Sequence, residues 1–325
     1  MTSARPRRGL VLGGGGVLGG TWAIGALLAL EERLRISAES FDVILGTSAG
    51  SVIAALIGGG VSADQLRQHY NAEPVSSGPL AGYSWDPVVA TGGPRPGLPR
   101  LLGPGSARLI GNSLIRPGRM PMTAVISAFL PLGATSLDRI GHLVEAVTPP
   151  GEWSDHPAVW VVAMDYEAGR RVVFGRPGAP IVPLASAVMA SCAIPGWFAP
   201  VRINGRSYVD GGAWSSTSVD ALAHAGLDEV YVIAPMASIE VDRPGDLLTR
   251  LERRWRQEVA KECRREADVV AATGTCVHVI GPSPEDLAAM GANMMDASRR
   301  AQVLQTSIRT STAAWARNAD HARPA

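Results

Sequence analysis

The stretch that decides the fold runs from Phe41 to Val52 and reads Phe41-Asp42-Val43-Ile44-Leu45-Gly46-Thr47-Ser48-Ala49-Gly50-Ser51-Val52. Its first five residues are mostly apolar, as in a buried strand, and the apolar run after it suits a helix. Between them lies the pattern Gly46-x-Ser48-x-Gly50. A strand, this pattern and a helix in that order predict a nucleophile elbow, a tight turn that lifts a serine off the end of a strand.

Glycine on both sides of the serine fits the geometry of such a turn. The backbone is crowded there, and Gly46 and Gly50 carry no β-carbon that would clash. Ser48 would stand at the N-terminus of the following helix, where unpaired N–H groups and the helix dipole favour developing negative charge. By itself the pattern fits a catalytic serine and an ordinary turn equally well, so the choice depends on the rest of the chain.

Length and composition describe a globular protein with a sizeable core. The chain has 325 residues, of which 46% are hydrophobic and 18% charged. A net charge of +1 gives no reason to expect a nucleic-acid partner. We find no clear interdomain linker and predict one domain over residues 1–325, with a core at about 9–234 and a mostly helical C-terminal part, 235–325, packed on it.

The cysteines and the N-terminal sequence bear on the cellular compartment. Cys192, Cys263 and Cys276 lack the spacing of a disulfide framework or a zinc site, which favours a reducing compartment. Three arginines precede an uncharged run, residues 9–30, that resembles a signal peptide or a membrane span, but its eight glycines argue against a continuous apolar helix. We therefore expect a cytoplasmic protein with peripheral membrane contact.

The N-terminal part predicts the start of an α/β sheet. Gly9 to Leu12 indicates a strand, the glycine cluster after it a loop, and Trp22 to Leu34 a helix. The elbow adds a second strand and a second helix. This alternation is typical of a mostly parallel sheet covered by helices.

A hairpin is expected later in the chain. Val201 to Ile203 and Arg206 to Val209 flank Asn204-Gly205, a strong signal for a tight hairpin turn. The second strand leads directly into Asp210-Gly211-Gly212. A loop with two flexible glycines behind an aspartate can present its carboxylate to a pocket, although Asp-Gly-Gly is an ordinary turn in most proteins.

The C-terminal third is expected to be mostly helical. Apolar residues recur at every fourth position and predict one long amphipathic helix from Pro244 to about Ala272; they are Leu247, Leu251, Trp255, Val259 and Cys263. The Arg and Glu residues of this helix are expected to form a solvated face. Ser218 to Ala225 predicts a shorter helix, and Cys276 to Ile280 a last strand.

The segment from Pro74 to Pro121 differs from the rest in composition. It holds nine prolines, and its five arginines occur without an acidic residue after Asp86. A loop of this length in a compact domain is usually functional or disordered. Two interpretations of 74–121 stay open. The favoured one is a solvated insertion, and the other is a lid over the site, with apolar and cationic groups for peripheral contact with a lipid membrane.

Three loops marked by glycine stand out. They are Gly13-Gly14-Gly15-Gly16-Val17-Leu18-Gly19, Gly46-Thr47-Ser48-Ala49-Gly50 and Asp210-Gly211-Gly212. Acyl transfer needs a nucleophile, a base and donors for the tetrahedral oxyanion, and the three loops offer one part each. The first loop has almost no side chains, so its backbone N–H groups can closely approach a substrate oxygen.

The first loop also allows a different interpretation. Gly14, Gly16 and Gly19 satisfy Gly-x-Gly-x-x-Gly after a strand and before a helix, as in dinucleotide-binding folds. Such a site needs an acidic residue at the C-terminal end of the next strand. Asp42 precedes that strand instead, and Gly46-Thr47-Ser48 ends it, so a dinucleotide-binding oxidoreductase is the less favoured alternative.

Histidine is the usual partner of a catalytic serine, but none has a distinctive context here. The chain contains six histidines: His69, His142, His156, His224, His278 and His321. His224 falls in a predicted helix and His278 in a predicted strand, where structural roles are expected. The sequence therefore assigns no histidine to the serine.

In this order, the three loops resemble the patatin-like phospholipase family. The stretch Ala190-Ser191-Cys192-Ala193-Ile194-Pro195-Gly196-Trp197-Phe198-Ala199-Pro200 is similar to the family's Ala-Ser-x-Ala-x-Pro segment before the aspartate hairpin. The resemblance covers about Gly9 to Ala234. It implies a three-layer α/β/α sandwich with a mostly parallel central sheet and a nucleophile elbow.

The resemblance also implies a site. Ser48 would be the nucleophile and Asp210 its base, a Ser-Asp dyad without histidine. N–H groups of Gly14, Gly15 and Gly16 would bind the oxyanion. The remaining motif glycines are Gly19, Gly46, Gly50, Gly211 and Gly212. No metal and no organic cofactor is implied.

The implied activity is the hydrolysis of carboxylic esters in phospholipids or related acyl lipids through an acyl-enzyme. One residue departs from the family pattern, because the position before Gly19 is commonly arginine or lysine and here is Leu18. With leucine at this position, the cation that the family commonly has beside the oxyanion loop is missing there, whereas the backbone N–H donors are unaffected. It keeps open the alternative of a catalytically weak or silent family member that binds lipid.

Overall fold

An eight-stranded sheet lies at the centre of the protein. The structure, a computed structural model, describes residues 5–84, 86, 90, 91, 93, 95–97, 103–115, 118–240, 242 and 247–321. The strands are β1 (Arg8–Leu12), β2 (Val43–Thr47), β3 (Val159–Asp165), β4 (Arg170–Phe174), β5 (Val201–Ile203), β6 (Arg206–Asp210), β7 (Glu229–Ile233) and β8 (Cys276–Ile280). The helices are α1 (Gly16–Leu34), α2 (Ala49–Gly58), α3 (Ala63–Tyr70), α4 (Ala107–Ile115), α5 (Met122–Phe129), α6 (Asp138–Glu145), α7 (Leu184–Cys192), α8 (Leu247–Ala271), α9 (Pro284–Met290) and α10 (Arg300–His321).

The sheet is mixed but mostly parallel. Its strand order is β5-β6-β3-β2-β1-β7-β8, with β4 paired to β3 outside this path. β3, β2, β1, β7 and β8 form the parallel part. β4, β5 and β6 pair antiparallel, and β5 and β6 are the predicted hairpin. The predicted α/β fold class is confirmed.

Helices cover both faces of the sheet. Leu10 and Leu12 of β1 belong to the larger hydrophobic core, together with residues of α1, α2, α7 and α10. Val11 between them belongs to a second core with residues of α8. Successive side chains of a strand point to opposite faces, so this alternation creates the three layers.

The C-terminal part shares the sheet and the larger core with the N-terminal part. β8 pairs in parallel with β7. α10 packs along α1, where Ser307 Oγ donates to the Trp22 carbonyl oxygen at 2.6 Å and Trp315 Nε1 donates to that of Ala26 at 3.0 Å. These contacts tie residues 235–321 to the rest of the fold, and the extent of the domain stays a prediction.

α1 begins earlier than the sequence indicated. The helix was predicted from Trp22, yet it starts at Gly16 and continues to Leu34. Glycines permit close packing here, since a β-carbon on Gly19 would lie 3.2 Å from Pro235 Cβ. The glycine content that argued against a continuous helix therefore serves its contacts with neighbours. Among the described residues, no helix has the length and apolar character needed to cross a membrane.

The long helix α8 exists as predicted, but its burial pattern differs. Val259 and Cys263 are buried as expected. Three residues of the predicted apolar stripe are exposed instead: Leu247, Leu251 and Trp255. Pro244, the predicted start of the helix, lies outside the described residues.

Two arginines occupy the buried side of α8 in place of that stripe. Arg253 forms ion pairs with Asp242 and Glu252, and Arg256, with a fully buried side chain, pairs with Glu252. Acidic partners offset the cost of taking a cation out of water, which a helical-period argument does not consider. The solvated face predicted for the Arg and Glu residues of this helix therefore does not include Arg253 and Arg256.

Two smaller expectations also changed. The predicted helix from Ser218 to Ala225 is reduced to a single 3-10 turn at Val219–Leu222. In the segment 74–121, α4 is a regular helix, and Ala90 and Thr91 are also helical. Residues 85, 87–89, 92, 94, 98–102, 116 and 117 lie outside the described residues, so the lid stays a prediction.

Candidate active site

The C-terminal ends of β2 and β6 face each other along one edge of β3. Residues 161 and 162 pair with both β2 and β4, and residues 163–165 pair with both β4 and β6. A residue has one partner on each edge, so β2 and β6 share the edge opposite β4. β2 runs parallel to β3 and β6 antiparallel, which means that their C-terminal ends face each other.

This arrangement brings Ser48 and Asp210 together. β2 ends with Thr47 beside Val162, and Ser48 follows it directly. β6 ends with Asp210 beside Ala163, the next residue along β3. Two residues from distant parts of the sequence therefore lie at one point of the sheet.

Ser48 has the strained backbone of a strand-to-helix elbow. Its φ of 51° and ψ of −126° are unusual for a residue with a side chain. The flanking glycines allow the turn: a β-carbon on Gly46 would lie 2.5 Å from the Gly50 carbonyl oxygen, and one on Gly50 would overlap the Leu12 carbonyl oxygen. Ser48 is also the N-cap of α2, whose dipole favours negative charge at this end.

Ser191 fixes the elbow from below. Its Oγ accepts a hydrogen bond from the Ser48 N–H at 2.8 Å and donates one to the Val162 carbonyl oxygen at 2.5 Å. A fully buried hydroxyl thus links the elbow to β3. Ser191 belongs to the Ala190–Pro200 stretch, but the sequence indicates no role for it, because its two partners are distant in sequence.

Asp210 is held by its own backbone and by the loop after it. Its N–H donates to the Ala193 carbonyl oxygen at 2.9 Å, and its Oδ1 accepts from the Gly212 N–H at 2.7 Å. Gly211 permits the close approach to β3, since a β-carbon there would lie 2.5 Å from the Val162 carbonyl oxygen. Gly211 and Gly212 therefore have different roles: Gly211 allows the close approach to β3, and the N–H of Gly212 binds the Asp210 carboxylate.

The environment makes Asp210 a stronger base than an exposed aspartate. Burial raises the pKa of its carboxyl group to about 6 from the ordinary 3.8, although hydrogen bonds from the Ser48 side chain and the Gly212 N–H lower it. A carboxylate whose pKa lies near neutral pH is better matched to accept a proton from a serine hydroxyl.

The glycine loop lies directly beside the elbow. A β-carbon on Gly14 would lie 3.2 Å from Ser48 Cβ. The Gly14 N–H, however, donates to the Ser216 carbonyl oxygen at 2.8 Å, and the Gly13 N–H donates to that of Ile233 at 2.9 Å. The role predicted for Gly14 as an oxyanion donor stays a prediction, and it would require this hydrogen bond to break.

Three other N–H groups near Ser48 have no acceptor within the described part of the chain. They belong to Gly15, Gly16 and Ala49. Gly16 and Ala49 line one cleft together with Ser48. Ala49 was not singled out from the sequence, although the residue after the nucleophile is a common donor in elbow enzymes.

The cleft at Ser48 is mainly apolar. It encloses about 530 Å³ of empty space, including its open mouth. Its apolar lining comes from several elements, with Val17, Val52, Ile140, Ile194, Phe198 and Met295. Thr91, from the segment 74–121, also lines it and accepts a hydrogen bond from Trp197 Nε1 at 3.3 Å through its carbonyl oxygen. Such a lining fits a hydrocarbon chain.

Among the side chains that the structure describes, no histidine and no metal-binding cluster belongs to this arrangement. None of the histidines with a described side chain lines the cleft. His156 Nε2 bonds to the Phe41 carbonyl oxygen, and His278 stacks on Tyr231, so both have structural contacts. In the described ranges, no group of three or more His, Cys, Asp or Glu side chains could hold a metal ion.

Comparison of the sequence with models of protein families agrees with this architecture. A family model described as Patatin-like phospholipase matches residues 10–223. Among solved structures, VipD from Legionella pneumophila is 16% identical, with 94% of this chain and 68% of VipD covered and a TM-score of 0.40.

Two further solved structures are similar to the chain. The ExoU-SpcU complex from the type III secretion system of Pseudomonas aeruginosa is 19% identical, with 95% of this chain and 59% of that chain covered and a TM-score of 0.30. The type III effector protein ExoU is 18% identical, with 97% and 62% covered and a TM-score of 0.31. The chain thus spans about three fifths of the chains that it matches in these two structures.

Proposed function

The chain belongs to the patatin-like phospholipase family, and from this premise we propose that it is a serine acyl hydrolase acting on carboxylic esters of phospholipids or related acyl lipids. The observation that carries the proposal is the meeting of Ser48 and Asp210 at the facing ends of β2 and β6. The apolar cleft beside them supports an acyl chain as the group bound next to the scissile bond.

In the first half-reaction, Ser48 Oγ attacks the ester carbonyl carbon while Asp210 accepts the hydroxyl proton. The tetrahedral intermediate collapses to an acyl-enzyme, and the leaving alcohol takes the proton back from Asp210. In the second half-reaction, Asp210 removes a proton from the water that attacks the acyl-enzyme, and it gives this proton to Ser48 Oγ as the carboxylic acid is released. Histidine is not needed, because the raised pKa of Asp210 supplies a base of suitable strength.

The oxyanion would be stabilised by backbone N–H groups at the glycine loop and the elbow. Gly15, Gly16 and Ala49 are the best candidates, since their N–H groups have no other acceptor in the described residues. Donors of this kind typically contribute about 100- to 1,000-fold in rate each. The N-terminus of α2 adds a favourable dipole at the same place.

The pH dependence of turnover tests this proposal. Asp210 must be ionised to accept a proton, so kcat/KM for a water-soluble p-nitrophenyl ester should fall about tenfold per pH unit below an apparent pKa of about 6 and level off above it. The measurement is a rate profile from acidic to mildly alkaline pH, with circular dichroism at each pH to confirm folding. A rate that stays constant well below pH 6 in folded protein would exclude Asp210 as the base.

A lipid panel should accompany that profile. Hydrolysis of phospholipids, lysophospholipids and neutral glycerides by the wild-type protein would identify the substrate class. The complete absence of ester hydrolysis, together with retained lipid binding, would instead establish the silent lipid-binding alternative.

A further inference from the structure

α5 carries its large apolar side chains on the outside and its small ones inside. Ala124, Ser127 and Ala128 are buried, whereas Met122 is 71% exposed and Phe129 is 59% exposed. No residue of this helix is charged. An ordinary surface helix has the opposite pattern, so the outward side of α5 lacks a partner of matching polarity.

The end of α4 extends this exposed surface. The Ser106 N–H, just before α4, donates to the Ala128 carbonyl oxygen near the end of α5. Six residues connect the end of α4 at Ile115 to the start of α5 at Met122, so both pairs of helix ends lie close together and the two helices run antiparallel. The C-terminal end of α4 therefore lies toward Met122. We call the combined surface the apolar face, and its residues are Leu114, Ile115, Met122, Ile126, Phe129 and Leu130.

The apolar face lies on the helix that packs against the Asp210 strand. Thr123 Oγ1 donates to the Ala213 carbonyl oxygen at 2.8 Å. On its buried side, α5 packs with Val209 and Ala213, the neighbours of Asp210-Gly211-Gly212. A partner on the apolar face would therefore be held close to the end of β6.

The charged residues in the sequence around the apolar face are all arginines. Residues 87–137 contain five arginines and no acidic residue, although the whole chain has a net charge of only +1. Arg108 precedes the apolar face in sequence and Arg119 lies between Ile115 and Met122. Both are exposed, and Arg108 pairs with the partly exposed Glu167 of a neighbouring turn. Apolar side chains with adjacent arginines match the two components of an anionic bilayer surface, acyl chains and negative headgroups.

We propose that the apolar face docks the protein on an anionic lipid bilayer. The proposal rests on the proposed function, because docking would hold the hydrolase at the surface that contains its lipid substrates. It differs from the sequence prediction in place, since four of the six residues lie beyond residue 121. Insertion of the apolar side chains and attraction of the arginines are separate contributions, and each can be removed by mutation.

Vesicle flotation with the Ser48→Ala protein tests the docking. Vesicles of equal parts phosphatidylcholine and phosphatidylglycerol should bind it, and the double change Ile126→Asp with Phe129→Asp should weaken partitioning at least about tenfold. Arg108→Gln and Arg119→Gln should each weaken it about fivefold. The matched control is Ile181→Asp, which charges a side chain that is 97% exposed outside the apolar face and should bind like the parent.

Two results would overturn the proposal. One is unchanged flotation of the Ile126→Asp, Phe129→Asp protein. The other is a dimer in solution that the same double change converts to a monomer, because a second copy would then cover the face. Flotation does not require turnover, so it remains decisive even if the wild-type protein hydrolyses no ester, which would refute the proposed function separately.

A second, independent observation concerns the buried Arg256. Its Nη1 donates to the Pro235 carbonyl oxygen at 2.9 Å, and its Nη2 lies 3.1 Å from Met294 Sδ. Its Nε forms the ion pair with Glu252. All three nitrogen atoms of this fully buried guanidinium group therefore have a partner.

Pro235 and Met294, which contact Arg256, also pack against the glycine loop. The Met294 carbonyl oxygen accepts from the Leu18 N–H at 2.9 Å. A β-carbon on Gly15 would lie 3.0 Å from Pro235 Cβ, and one on Gly16 would lie 3.1 Å from the Met294 carbonyl oxygen. The position of the loop thus depends on two residues that Arg256 holds.

We infer that Arg256 is a positioning residue for the oxyanion loop, a role that also rests on the proposed function. Leu18 is buried and carries no charge. The cation on this side of the loop is instead the guanidinium group of Arg256 on α8. Arg256 acts through Pro235 and Met294 and fixes the direction of the Gly15 and Gly16 N–H groups. Small misplacements of such donors are costly, about 100-fold in rate for about 1 Å.

Comparison of Arg256→Met with Arg253→Met tests this role. Arg253 is also buried on α8, and within the described residues its ion pairs are with Asp242 and Glu252. Arg256→Met should lower kcat about 10- to 100-fold and change KM less than about threefold, whereas Arg253→Met should keep kcat within about threefold. Thermal unfolding of both variants provides the measure of any shared structural damage.

Hydrogen exchange gives a readout that needs no activity. Amides of residues 13–19 should exchange faster in Arg256→Met than in Arg253→Met. If Arg256→Met does not fold, Met294→Leu removes the sulfur contact and should show the same effects more weakly. Equal kcat and equal loop exchange in the Arg256→Met and Arg253→Met proteins would overturn the inference.

Discussion

Ser48→Ala is expected to lower kcat for ester hydrolysis at least about 1,000-fold. The change removes the hydroxyl of the proposed nucleophile, whereas the elbow keeps its glycines and its hydrogen bond to Ser191. Stability at neutral pH should fall by about 1.5 to 3 kcal/mol, because the hydrogen bond that is lost goes to the Asp210 carboxylate. The measurement is initial rates on a soluble ester and on the preferred lipid, with thermal unfolding in parallel.

Ser77→Ala is the matched control for that prediction. It removes an exposed serine hydroxyl from the same chain and should keep the wild-type rate. Ester hydrolysis by folded Ser48→Ala at a rate near that of the control would show that Ser48 is not the nucleophile.

Asp210→Asn is expected to lower kcat by about 100-fold or more, because an amide cannot accept the serine proton. The side chain keeps nearly the same shape, so the hairpin and the loop after it should persist. The pH-dependent limb of the rate profile should disappear from whatever activity remains. A variant that keeps full activity with the same pH profile would contradict the role of Asp210.

The same substitution should change stability in a pH-dependent way. The folded-state pKa of Asp210 is raised to about 6 by burial, so the folded protein binds this proton more tightly than the unfolded chain. The resulting stability is fully present below pH 4 and is lost as pH rises through 6. The free energy of unfolding of Asp210→Asn, relative to that of the wild-type protein, should therefore rise by up to about 3 kcal/mol between pH 4 and pH 8.

Unfolding in urea at both pH values measures this difference. Asp268→Asn, which neutralises an exposed carboxylate on α8, is the control and should show no comparable gain. If the free energy of unfolding of Asp210→Asn differs from that of the wild-type protein by the same amount at pH 4 and at pH 8, burial does not destabilise the Asp210 carboxylate.

Local sequence patterns were sufficient to predict most elements near the site. The elbow, the Asn204-Gly205 hairpin and the strand before Asp210 each depend on turn residues next to apolar runs, and the structure contains all three. Glycine patterns identify such turns because few other residues tolerate their backbone conformation or crowding. Family resemblance then placed Ser48 and Asp210 in one hypothesis.

The sequence could not explain why these residues meet. That depends on the pairing of β3, which holds β2 and β6 along one edge and thereby joins residues far apart in the chain. The burial of Arg253 and Arg256 was missed for a related reason, since apolar periodicity does not account for acidic partners such as Glu252 and Asp242. The role of Ser191 could not be predicted from the sequence, because it consists of two long-range hydrogen bonds.

The most direct test of the central claim is mass-spectrometric mapping of a fluorophosphonate adduct. The probe forms a stable bond only with an activated serine, so the wild-type protein should carry one adduct, located on Ser48. Labelling should be absent in Ser48→Ala and at least about 100-fold slower in Asp210→Asn. An adduct on another serine, or unlabelled protein that still hydrolyses esters, would contradict the Ser48–Asp210 dyad.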